Sequence, residues 1–230
     1  MASTRGRSAR SGSSGAAAAA GAGSAKAGSK GMPRRRREEQ ILAAAVEEFG
    51  TRGYAQVSMA DLAGAIGVTK PLLYQYFGSK DGLYLAALRH IGDRLTAAIA
   101  QAMDGTTTPD TPVAVLRAIF EALEGQRQGW FLLYDPTLPD TGEPAGTAHR
   151  YRGAIDRMAA RGTEDLLNTR GFDDPRDAAA LKHVWTGVVG SLVVWWARHP
   201  GESAQDMAER CERLFLAALG AGRAAEERRP

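Results

Sequence analysis

Apolar residues recur at Met59, Leu62, Ala63 and Ile66, the i, i+3, i+4, i+7 spacing of one helix face. Ser58 stands just before them with Asp61 three residues on. A side-chain oxygen can therefore take a free amide, and a carboxylate sits at the positive helix end. Gly67 stops the pattern, since glycine adopts a left-handed backbone without steric cost. A second short pattern follows, with Thr69 as its cap, Pro71 in its first turn, and Leu73 and Phe77 packing inward. Helix, tight turn, helix is the arrangement that sets its second helix in the DNA major groove.

With Leu73 and Phe77 inward, Lys70, Pro71, Tyr74 and Gln75 turn outward. Their chemistry suits a groove. Lysine donates to guanine O6/N7 or to phosphate, and glutamine pairs with adenine. A tyrosine hydroxyl bonds phosphate, while Pro71 and Leu72 offer apolar contact to a thymine methyl. Ser79 and Lys80 open a further helix, where amides, dipole and ammonium together suit a phosphate.

Leu62-Ala63, Gly67-Val68-Thr69, Leu73-Tyr74, Tyr76-Phe77 and Ser79-Lys80-Asp81 with Leu83 resemble the signature of TetR-type (tetracycline-repressor-like) transcriptional regulators. The resemblance covers about residues 38 to 90. It implies an all-α chain whose reading unit binds a palindromic operator in double-stranded DNA. The remainder would be a helical domain for ligand binding and dimerisation. Carried over position by position, the DNA-facing set is Ser58, Thr69, Lys70, Pro71, Leu72, Tyr74, Gln75, Tyr76 and Lys80. Gly64 and Gly82 depart from the better helix formers often seen there.

The rest of the chain reads as helices too. Ile41, Leu42, Ala45, Val46 and Phe49 predict a helix over 35–51, with Tyr54 and Val57 completing a small core. Leu83, Ala87, Ile91, Leu95 and Ile99 form one stripe over 80–103, a helix about 35 Å long. A fifth helix carries Val113, Leu116, Ile119, Phe120 and Leu123, and Trp130–Tyr134 is a short apolar segment. Residues 135–146, with three prolines and two glycines, read as a mobile loop. Tyr151, Ile155, Met158, Gly162 and Leu166 mark a seventh helix, stopped by Gly171.

The last two helices point to a partner. The run Val184–Trp196, in a helix starting near Pro175, is apolar nearly all round and must be covered on every side. It is too short to span a membrane, which needs about 20 apolar residues. Met207, Cys211, Leu214, Phe215, Ala218 and Leu219 make the ninth helix amphipathic. Paired with their copies, these helices would form an intersubunit four-helix bundle, the use the family makes of its last two helices. Its interface candidates are Val188, Leu192, Trp195, Cys211, Leu214 and Phe215. Apolar faces nominate Phe120, Trp130, Tyr134, Met158, His183 and Trp185 as pocket lining, each with plain core as the competing reading. Such a lining favours a mainly apolar effector with a few polar groups.

Charge divides the chain. Its 230 residues hold 29 Lys and Arg against 26 Asp and Glu, but nine of the basic residues and none of the acids lie in 1–37. The folded body is therefore acidic, and the basic balance belongs to the tail. The first 32 residues are mostly Gly, Ser and Ala, too poor in large apolar groups to repay their ordering entropy. Arg34–Arg37 read as a DNA-contacting arm or as a solvated run; four cations at a helix start oppose its dipole, which favours the arm. Ala16–Ala20 lacks the leucine-rich core of a signal peptide, and Gly23–Lys30 has serine and lysine in the wrong order for a phosphate loop.

A single cysteine forbids an intramolecular disulfide and fits a reducing cytoplasm. Four scattered histidines and the lack of any catalytic motif imply no enzyme, no metal and no cofactor. The division expected is a disordered basic arm (1–33), a DNA-binding domain (34–79), an effector and dimerisation domain (80–222) and a tail (223–230). The function expected is a homodimeric, ligand-responsive transcriptional regulator, a repressor released from its operator by a small effector. The alternative is a DNA-binding regulator without one, governed by a protein partner or by abundance.

Overall fold

The computed structural model describes residues 33–105 and 107–226, and every regular element among them is a helix. In chain order these are α1 (Arg34–Arg52), α2 (Met59–Ile66), α3 (Lys70–Phe77), α4 (Lys80–Ala102), α5 (Thr111–Leu123), α6 (Gly129–Leu133), α7 (Glu143–Asn168), α8 (Pro175–Ala197) and α9 (Ala204–Glu226). The all-α class expected from the sequence holds. The basic arm lies outside the described residues except for Pro33, as do residues 227–230 and the side chains of Ala218 and Leu219.

Helix α4 is the spine. Its Leu83, Tyr84, Leu88, Ile91 and Leu95 are fully buried, and it packs against α1, α3, α5, α6 and α7. The same core holds Ile41 and Phe49 of α1 and reaches Met207 and Cys211 of α9. The reading unit and the larger part thus share one continuous apolar interior. Helix α1 docks on α6 as well as on α4. At Gly50 an added Cβ would collide with the backbone carbonyl of Gln128, so glycine is what permits that approach. Gly82, unusual in the first turn of a helix, has the same cause: a Cβ would strike the Phe77 carbonyl at the end of α3.

Two expectations change. The loop foreseen over 135–146 ends early, because Pro144 sits in the first turn of α7, where its missing amide hydrogen costs nothing. The membrane argument, made for the run 184–196, does not extend to all of α8. That helix has 23 residues and a window of mean hydropathy 1.3, long and apolar enough to cross a membrane by length and composition. Only 11% of that window is buried, and one side of the helix packs on the protein. Val189, Val193 and Trp196 are buried, Lys182 pairs with Asp156 of α7 at 2.9 Å, and the Arg127 guanidinium lies 4.1 Å from the Trp196 ring.

Candidate nucleic-acid interface and effector cavity

Local chemistry shapes the reading unit. Ser58 Oγ accepts from the Asp61 amide at 3.1 Å, and the Asp61 carboxylate accepts from the Ser58 amide at 2.9 Å, a reciprocal cap on α2. The serine hydroxyl keeps its own proton to donate. Gly67, at φ 72 and ψ 32, ends α2 in the left-handed region, and the Val68 amide returns to the Ala63 carbonyl at 3.0 Å. Thr69 caps α3 through its carbonyl, which takes the Leu72 amide at 3.0 Å, while its side chain makes no cap bond. Leu62 and Leu73 are fully buried and fix how α3 is rolled.

That roll leaves Ser58, Thr69, Lys70, Pro71, Tyr74 and Gln75 exposed, with Leu72, Tyr76 and Lys80 half-buried. Three cations meet tyrosines on or beside this face. Lys70 Nζ lies 5.9 Å from the Tyr74 ring centre, Arg34 lies 5.2 Å from that of Tyr76, and Lys80 Nζ lies 4.1 Å from that of Tyr54. Arg34 therefore stands beside α3, whereas Arg35 pairs with Glu39 and Arg52 with Glu48. Partial burial pushes the Lys80 ammonium below the usual lysine value, against the opposing pull of Asp81 and Asp135. Burial, then the hydrogen bond its hydroxyl donates to Asp81, pushes Tyr54 up to about 12.

Asp135, in the sequence only the first residue of a loop, joins the two halves. This carboxylate is buried and accepts from the Tyr54 amide at 2.6 Å, the Thr137 amide at 2.8 Å and the Thr137 hydroxyl at 2.7 Å. Tyr84 adds a longer bond at 3.3 Å, and Thr137 Oγ1 in turn accepts from the Ala55 amide at 3.1 Å. Tyr54 and Asp135 are 81 residues apart, so no local pattern could pair them.

One residue before Asp135 a cavity begins. It has a volume of about 710 Å³ and lies among α4–α9, with Ile99, Met103, Ile119, Ile155, Leu166 and Leu181 in its wall. Four of the six sequence-nominated residues line it: Trp130, Tyr134, Met158 and Trp185. Phe120 does not, because its fully buried ring packs edge-on to Trp196, at 5.3 Å between centroids. His183 is exposed on the outer side of α8 and also does not. The sequence missed the polar members of the wall, among them Thr163, Thr186 and Arg117.

Outside the cavity, α8 exposes Val184, Val188 and Trp195, and α9 exposes Leu214, while the exposed Leu216 borders the cavity. Trp195 is flanked by His199, stacked at 3.8 Å, and Arg210 at 5.3 Å. Of the interface candidates, Val188, Trp195 and Leu214 are therefore on the surface. Leu192 and Phe215 are half-buried against their own protomer, and Phe215 reaches the cavity wall. Cys211 is fully buried on the side of α9 that meets its own protomer's core, which removes it from any interface.

Residues 41–87 match the family model described as bacterial regulatory proteins, tetR family. Over 105 residues, 45% of this chain, it is 40% identical to the transcriptional activator FasR of Mycolicibacterium smegmatis, covering 48% of that protein. The chain thus spans about half the length of the curated relatives it matches. A TetR-like transcriptional regulator from Rhodococcus sp. RHA1 superposes with a TM-score of 0.59 at 26% identity, over 82% of this chain and 98% of that one. AibR, solved in complex with isovaleryl coenzyme A and operator DNA, has a TM-score of 0.59 at 21% identity over 76% and 95% of the two chains, a likeness of fold. The likeness to the tetR family is thus shown for residues 41–87, the segment that holds the helix-turn-helix.

Proposed function

We propose that the chain is a homodimeric transcriptional regulator, a repressor that leaves a palindromic operator when a small, mainly apolar effector fills the cavity. Residues 34–79 act as its DNA-binding domain and 80–222 as its effector and dimerisation domain. The observation that carries the reading is the roll of α3. Leu73 is fully buried, while Thr69, Lys70, Pro71, Tyr74 and Gln75 stand in solvent. Lys70 and Gln75 then address base edges, while Ser58, Tyr74, Tyr76 and Lys80 address phosphates and Leu72 a thymine methyl.

Three further facts support the larger reading. The cavity is in the size range of small-molecule sites, and Trp130, Tyr134, Met158 and Trp185 give it an apolar wall. AibR, similar in fold, is described with both an acyl thioester and operator DNA. The bare apolar flanks of α8 and α9 have the composition of a subunit interface, with Val188, Trp195 and Leu214 at its centre. A second reading, activation, is favoured by the name of FasR, an activator.

Selection of bound sequences from random duplexes tests the proposal. Enriched sites carry an inverted repeat whose half-sites lie about 34–36 Å apart, centre to centre. Enrichment without an inverted repeat would remove the dimeric reader, and no enrichment would remove sequence-specific binding. A promoter fusion bearing the selected site separates repression from activation by the sign of its change.

A further inference from the structure

The cavity wall carries four charged side chains: Asp110, Arg117, Arg170 and Glu212. Asp110, Arg170 and Glu212 are exposed, so water already solvates them; Arg117 alone of the four is drawn partly inside. Four other half-buried arginines are bonded within the protein. Arg94 bonds Gln126, Arg127 bonds the carbonyls of Trp196 and His199, Arg152 bonds the Leu133 carbonyl, and Arg210 bonds Glu202. Arg117 has no hydrogen bond or ion pair among the described residues. Glu121 is one helical turn away, at a spacing suited to pairing, but it stays exposed and does not pair. Arg117 thus keeps its donors for a ligand beside the cavity, and the planar guanidinium fork matches a carboxylate or phosphate.

We propose that Arg117 is the anchor for the anionic head of an amphiphilic effector, whose alkyl tail lies along the apolar wall toward Trp130 and Met158. This rests on the reading of the cavity as an effector site and names the chemistry of its ligand. An alkyl tail gains from burial against that wall, and the head supplies the bond that Arg117 lacks. Carboxylate and phosphate heads share this chemistry.

The test uses the full chain and three twelve-carbon probes, laurate, dodecyl phosphate and the uncharged methyl laurate, titrated by calorimetry. At least one anion binds wild-type protein about tenfold or more tightly than the ester, as expected of a charge-assisted bond. Which anion binds distinguishes a carboxylate head from a phosphate one. Arg117→Gln brings the anion down to the affinity of the ester and leaves the ester unchanged, which also certifies the fold of the variant. Arg117→Lys falls between them, since it keeps the charge and loses the fork. Equal wild-type affinity for ester and anions would overturn the assignment. So would an equal loss for all three probes in Arg117→Gln, since the arginine would then merely support the wall. If no probe binds but an uncharged polycycle such as progesterone does, the anionic head is wrong and the effector cavity stands. If nothing binds, both fall.

Discussion

Replacing Asp135 with alanine removes a buried carboxylate that ties the reading unit to the larger part of the chain. Its three short bonds come from Tyr54, the Thr137 amide and the Thr137 hydroxyl, at 2.6, 2.8 and 2.7 Å. A hydrogen bond to a charged group contributes about 1.5–3 kcal/mol, so simple addition would exceed 4 kcal/mol. The three share one acceptor, however, and Pro136 beside it is exposed, so water can reach the freed amides. A loss of about 3 kcal/mol is the reasonable figure. For a chain of this size that lowers the melting midpoint by about 6–12 °C, read by circular dichroism at 222 nm. Asp135→Asn presents an amide donor to a site made of donors and recovers only part of the loss. Tyr84→Phe should cost less, because the bond from Tyr84 to Asp135 is long, at 3.3 Å, and its better bond is to the Leu132 carbonyl at 2.9 Å. A midpoint shift under about 2 °C for Asp135→Ala would refute the claim that this carboxylate holds the halves together.

Four other perturbations follow from the geometry. Gln75→Ala relaxes base preference at one position per half-site, by about 1–3 kcal/mol in competition binding, and intact preference would mean α3 is rolled differently. Lys80→Ala weakens all duplexes alike and lowers the salt slope by about one unit, whereas an unchanged slope would confine Lys80 to its contact with Tyr54. Val188→Asp places a charge on the exposed flank of α8 and yields monomers in sedimentation, with helix content kept; a dimeric variant would move the interface elsewhere. Trp130→Phe removes much of the emission change on effector binding, because all four tryptophans lie beyond residue 129 and only Trp130 and Trp185 line the cavity.

Local signals were legible and distant ones were not. The cap at Ser58 and Asp61, the turn at Gly67 and the burial of Leu62 and Leu73 all follow from residues within one or two turns of each other. The helix period places Phe120 on a buried face but cannot say whether that face meets a cavity or a neighbouring ring, and here Trp196 occupies the space. His183 shows a second limit. Helix α8 is apolar nearly all round, so its sequence carries no direction, and the histidine falls on the outside. Cys211 has the same periodicity as Leu214 and Phe215, yet a turn of the helix separates the face against α5 from the bare flank. Arg117 reads in the sequence as one more surface cation, and only the missing partner sets it apart.

The docking of α1 on α6 makes the two halves of this chain poor interchangeable parts. A chimera that grafts a foreign reading unit onto the larger half has to keep Gly50, because any side chain there meets the Gln128 backbone. It also has to offer a backbone amide to Asp135 at the place of Tyr54. The outer face of α3 carries neither obligation. Operator preference is therefore free to drift by single substitutions at Lys70, Tyr74 or Gln75, while positions 50–55 and 128–137 evolve as a matched pair.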